Sequence, residues 1–306
     1  MKEKLNNIPL WFINITSVVS GVITIITSVI NFIALYKNRT SFIWLFIIAV
    51  ISFFILLICQ IRKYQKLYLD GLKVASFNYH KLTHDSRDIY FDVMKDHKQN
   101  NDPDTKTLTN LYRVYLSSIL NYLCNVLETY CNQKVSCCVK IVTEPKDRIE
   151  DIYLRTFCRS NNSETTRGKY ETDLIKLCEN TDFLEIVNPV NGLSMNCFYQ
   201  QNLLEYDKKL RKEGKYYKNS NPNWQNDYIG TIVVPIQIEQ NKLYGSKLKN
   251  VYHVIGFLCV DSKSDSAFLD RQAKFYIDIV KSFADIIFML LSQYQHYLKK
   301  IIHNNI

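Results

Sequence analysis

The chain has 306 residues, 47% of them hydrophobic and 22% charged, with 38 Lys and Arg against 29 Asp and Glu for a formal net charge of +9. Eight glycines leave no Gly-rich nucleotide cradle, and H-E-x-x-H and C-x-x-C pairs are absent, which excludes the commonest phosphate-loop, zinc-hydrolase and thioredoxin-type chemistries. The basic balance favours anionic surfaces without choosing among lipid, nucleic acid and phosphate ligands.

Lys37 and Arg39 are the only charged residues between Leu10 and Ile61. Residues 10–36 and 41–61 are each long enough to cross a bilayer, which takes about 20 apolar residues. A signal peptide has a shorter apolar core and is not followed at once by a second span. Residues 1–61 therefore read as a transmembrane helical hairpin. Trp11 and Tyr36 sit where interfacial aromatic anchors sit. Lys2 and Lys4 precede the hairpin and Arg62, Lys63, Lys66 and Lys73 follow it, so both termini are expected inside, in the inner (plasma) membrane as a multi-pass protein.

In the first span Ser17, Ser20, Gly21, Thr24, Thr27, Ser28 and Asn31 recur every three or four residues and share a helix face. Ser17, Ser20, Gly21, Thr24 and Ser28 fit small-xxx-small packing against another helix; the other reading is a polar lining assembled from several copies. No ionisable group lies in the stripe, which argues against a proton relay.

Residues 62–104 are rich in helix formers and read as a helical connector. His80 and His84 are one turn apart, but no third ligand is placed by the spacing, so a solvated helix face is preferred and no metal is expected. QNNDPDT at 99–105 is the clearest linker, and Asp104 or Thr105 can cap the next helix.

Residues 105–306 form an α+β unit. Tyr112, Leu116, Ile119, Leu123, Val126 and Tyr130 alternate steps of four and three. So do Tyr276, Val280, Phe283, Ile287, Leu290, Tyr294, Tyr297 and Ile301. Such seams lie on a sheet or in a coiled coil. The expectation is both: the first half of the last helix on the sheet, the later half against a second protomer. Between them, 135–142, 151–158, 227–239 and 251–263 read as strands, the last two as an antiparallel hairpin apolar on both faces. Residues 165–226 read as helices and loops. The nine cysteines lie mostly in apolar runs and read as reduced, buried thiols of a cytosolic domain.

GTIVVPIQIE at 230–239, VIGFLCVDSKSDSAF at 254–268 and KSFADIIFMLL at 281–291 resemble the GAF family over about 105–295. The resemblance implies an antiparallel sheet, a ligand pocket roofed by the irregular middle segment, and dimerisation through the first and last helices. Where cyclic-nucleotide-binding GAF domains carry Asn-Lys and an acidic pair, this chain has Asp261-Ser262 and Gln272-Ala273, against that ligand. No cysteine has the context of bilin attachment, and no cofactor is expected. Tyr228, Thr231 and Asp261 are the candidate pocket groups, with Lys208, Lys209 and Arg211 in the roof able to pair with a phosphate or carboxylate; the alternative for these three is a plain solvated charge run.

The expected protein is thus no enzyme. It is a membrane-tethered, dimeric or higher-order sensor of an unknown small molecule that signals through its helices, without nucleic acid. Two alternatives stand beside it: a ligand-activated two-span membrane effector, and a membrane anchor that docks a protein partner.

Overall fold

The computed structural model describes residues 39–98, 104–143, 149–163, 174–187, 197–237 and 254–304, together with Gly21, Ile26 and Ile30. The rest of the first expected span, and with it the two-span hairpin and the packing stripe of Ser17, Ser20, Thr24 and Ser28, lies outside the described residues. The chain divides into two compact units, 1–73 and 74–306.

Helix α1 runs from Arg39 to Lys98. Its first part, within unit 1, is long and apolar enough to cross a membrane. Phe46, Ile48, Ile51, Phe54, Ile55 and Ile58 are each 47–57% exposed there, so no protein surface covers them. The connector expected as one or two helices is thus part of one helix. His84 Nδ1 lies 2.8 Å from Arg87 Nη2, and no cluster of three metal-ligating side chains occurs among the described residues.

In unit 2, helix α2 (Thr105–Cys131) begins where the linker expectation put it: the Asp104 carboxylate accepts from Thr107 N at 2.6 Å. It ends at Asn132, whose φ of 55° is the left-handed cap conformation that Asn tolerates. Strands β1 (Ser136–Val142), β2 (Tyr153–Arg159), β3 (Ile175–Lys176), β4 (Phe198–Gln200), β5 (Gly230–Gln237) and β6 (Val254–Ser262) form one antiparallel sheet in the order β3-β2-β1-β6-β5-β4. The expected β5–β6 pair forms, with β6 at the middle of the sheet between β1 and β5. Gly256 is required there, because a Cβ would stand 2.3 Å from the Lys140 carbonyl oxygen of β1.

One face of the sheet is covered by α2 and by the last helix, α6 (Ala273–Asn304), with the 74–98 part of α1 beyond them. Leu82, Ile89 and Val93 of α1 are buried in the same cluster as Leu116, Leu123, Ile287 and Tyr294. Of the expected seam of the last helix, Tyr276, Val280, Phe283, Ile287, Leu290, Tyr294 and Ile301 are buried within the chain and Tyr297 is half-buried. The other face is covered by the middle segment: α3 (Thr181–Val187), α4 (Leu203–Lys212) and the short α5 (Trp224–Asp227). Strands β3 and β4, within the stretch expected to be helix and loop, extend the sheet at its two edges.

Candidate ligand site

The roofed face of the sheet carries polar groups where a purely apolar core would be simpler. Ser136, Cys138 and Lys140 alternate along β1 and share that face. Across the ladders Ser136 opposes Asp261, Cys138 opposes Arg159 and Cys259, and Lys140 opposes Thr156 and Phe257. A bulge causes the last arrangement on β2: Val139 pairs with Cys158 but Lys140 with Thr156, skipping Phe157. Phe157 and Cys158 therefore both enter the helix-side cluster, which leaves Thr156 and Arg159 both on the roofed side.

A cleft opens at this point. The sheet contributes Ser136, Cys137, Cys138, Arg159 and Asp261, the loop after β2 contributes Ser163, and the roof contributes Asp227 and Tyr228. Its volume is about 20 Å³, room for a water molecule but far below what a metabolite needs. Thr231 Oγ1 donates to Asp261 Oδ1 at 2.7 Å, fixing that carboxylate. Asn219 Nδ2 donates to Tyr228 Oη at 2.6 Å and to Tyr217 Oη at 3.2 Å, fixing two phenols of the roof. Deeper under the roof Phe183 meets Phe257 with ring centroids 4.7 Å apart, and Tyr217 meets Trp224 at 4.9 Å.

Asp182, in the first turn of α3, is 6% exposed and accepts from Phe183 N at 2.9 Å. Burial pushes its carboxyl up to about 7; the Asp261 charge adds to this, and Lys140 opposes it. The Cys138–Cys259 hydrogen bond and burial hold the Cys259 thiol well above its ordinary range. Burial, then the Asp182 charge, keeps Tyr217 neutral. Burial likewise raises the Cys137 thiol, so Cys137 in the lining and Cys259 and Tyr217 nearby are protonated at neutral pH, beside the Arg159 and Asp261 side chains. Such a set can bind and orient a polar molecule, and its thiols are poor nucleophiles.

Of the residues expected from sequence, Tyr228 and Asp261 line the cleft and Thr231 stands behind Asp261. Lys208 and Lys209 do not; both are exposed on α4. Arg211 is also turned away: its Nε donates to Asp207 Oδ2 at 2.7 Å. Burial disfavours the Asp207 charge, but Arg211 and the Tyr217 N–H, at 2.8 Å, outweigh it and lower the pKa. These three cations thus lie at the surface, outside the lining of the cleft. Arg159, Cys138, Ser136, Ser163 and Asp227 were not anticipated. The alternation Ser136-x-Cys138-x-Lys140 was the available signal for the β1 part; the bulge hides Arg159.

No family model and no curated protein sequence matches the chain. Among solved structures, it is similar to a type II free methionine-R-sulfoxide reductase from Thermoplasma acidophilum, with 14% identity and a TM-score of 0.35, covering 60% of this chain and 96% of that one. It is also similar to two GAF domains of phosphoenolpyruvate-protein phosphotransferases. The one from Acinetobacter has 12% identity and a TM-score of 0.34, covering 60% and 89%; the one from Coxiella burnetii has 15% identity and a TM-score of 0.36, covering 69% and 95%. Likeness of this size assigns neither family nor activity.

Proposed function

We propose that the chain is a GAF-like, non-catalytic small-molecule sensor held at a membrane by its apolar helix or helices, working as a homodimer or higher oligomer. The observation that carries the sensor reading is the set of Arg159, Lys140, Asp182 and Asp261 gathered under a roof of short helices. Arg159 and Asp182 are buried and Lys140 and Asp261 half-buried, and polar groups so placed cost free energy unless partnered, which packing alone would not select. A cleft this small admits a metabolite only if the roof shifts, and a roof displacement is the event that a sensor needs. The apolar run of α1 supports the tether. The α2 and α6 seams are buried against each other and against the sheet, so the dimer we propose uses another surface of the unit.

A thermal-shift screen of the full chain in detergent against nucleotides, amino acids and other metabolites tests this. A hit should raise Tm in the wild type and lose its effect in Arg159→Met and Asp261→Asn. The absence of any hit, or equal shifts in the variants, counts against a ligand site.

A further inference from the structure

The charged side chains from Lys208 to Lys218 are all exposed. Lys208, Lys209, Lys212 and Lys218 are exposed on the outer side of the roof, and among the described residues no carboxylate lies within ion-pair distance of them. Their neighbours are neutralised: Arg211 by Asp207 at 2.7 Å and Lys215 by Glu213 at 3.9 Å. Glu205, exposed on the same helix, offsets one charge at most. The helix dipole accounts for Lys209 and Lys212 in the last turn of α4, but not for Lys208 or Lys218. Beside them Tyr216 is 57% exposed, with the Lys218 ammonium 5.7 Å from its ring centroid.

We propose that this outer surface of the roof, built from Lys208, Lys209, Lys212, Tyr216 and Lys218, docks on anionic lipid headgroups. Exposed ammonium groups within one short stretch of the roof, one of them beside an exposed aromatic ring, suit a headgroup layer, where aromatic rings sit between apolar and wet surroundings. Lipid is favoured over other polyanions because the same chain carries an apolar segment of bilayer length; the inference rests in that respect on the membrane reading above. The platform is firm. Asn202 caps α4 by accepting from Leu204 N and Glu205 N at 3.0 and 3.1 Å, and Leu203 is fully buried beneath it. Asp207 ties this helix to Tyr217, which packs on Trp224 in the roof of the cleft. Headgroup contact therefore bears on the element that must move for the cleft to admit a ligand.

The test uses the full chain reconstituted in phosphatidylcholine bilayers with and without about 30% phosphatidylglycerol, reading lysine acetylation by mass spectrometry. Lys208, Lys209, Lys212 and Lys218 should react about fivefold more slowly in the anionic bilayer, and about 0.5 M NaCl should restore the rate, while Lys274 on α6 stays unchanged. In Lys208→Glu/Lys209→Glu/Lys212→Glu, all exposed positions, Lys218 should lose its lipid-dependent protection. Equal rates in the two bilayers, retained protection in the triple variant, or equal protection by a short RNA added to neutral bilayers would each overturn the assignment. Failure of the chain to insert in either bilayer would sink the tether reading, and this inference would fall with it; insertion without protection would sink this inference alone.

Discussion

The Tyr122 hydroxyl donates to Asp85 Oδ2 at 2.7 Å, and one heptad along both helices the Tyr115 hydroxyl donates to Asp92 at 3.0 Å. The pairing runs in opposite senses, so α1 lies antiparallel to α2, with Ile89 buried between the two clasps and Leu82 and Val93 buried just beyond them. For both phenols, burial and then the aspartate bond push the pKa up to about 12, so they stay donors at any physiological pH.

Removing one clasp should be tolerated and removing both should not. Tyr122→Phe and Asp85→Ala are each expected to cost about 1 kcal/mol, with a double-mutant coupling of similar size. Urea unfolding of the four proteins of that cycle measures it, and additive losses would mean that the bond contributes nothing.

Asp182 makes stability depend on pH in a direction opposite to that of a salt-bridged carboxylate. Its folded pKa of about 7 lies above the ordinary 3.8, so its contribution is fully present below about pH 3.8 and is lost as pH rises towards and through 7. Asp182→Asn keeps the acceptor for Phe183 N and removes the charge. It should raise Tm by several degrees at pH 8 and by little at pH 5. Equal shifts at the two pH values would contradict the assignment.

Two glycines should answer differently to alanine. Gly256→Ala places a methyl against the backbone of β1 and should cost about 2–3 kcal/mol or prevent folding. Gly214 has a φ of 75° with nothing within 4 Å of a built Cβ, so Gly214→Ala meets only conformational strain, about 1 kcal/mol. Comparable losses at both sites in denaturant melts would be wrong for this sheet register.

The exposed apolar run of α1 predicts a sharp response to charge. Ile51→Lys with Ile55→Lys should move the chain from the carbonate-resistant membrane fraction towards the soluble or aggregated one, since each lysine at a helix centre costs about 2.5–3.5 kcal/mol. Unchanged extraction would argue that this helix is not in lipid.

Much of unit 2 was legible in the sequence because its signals are local. The β-branched runs that became β5 and β6, the Asp104 cap and the apolar seam of the last helix all appear where patterning places them. The site was less legible. The bulge that skips Phe157 turns Arg159 to the roofed face against strict alternation, and no local signal marks it. Strands β3 and β4 are two and three residues long and exist only through their neighbours' ladders. The charge run at 207–218 fitted either a pocket roof or a solvated face; Asp207 is buried and holds Arg211, while Lys208 and Lys209 stand in solvent. The seam of the last helix was legible as apolar but not as to its partner, because a periodic pattern does not say which element fills it; here the sheet and α2 do.

The most direct measurement of the central claim uses Trp224, buried in the roof beside Tyr217 and near Tyr228. With Trp11→Phe and Trp44→Phe in the full chain, its fluorescence reports the roof alone. A ligand found by thermal shift should change Trp224 emission saturably, and Arg159→Met should abolish the change while leaving the unliganded spectrum intact. A stabilising ligand that leaves Trp224 silent, or acts equally on Arg159→Met, would place binding elsewhere and contradict the account.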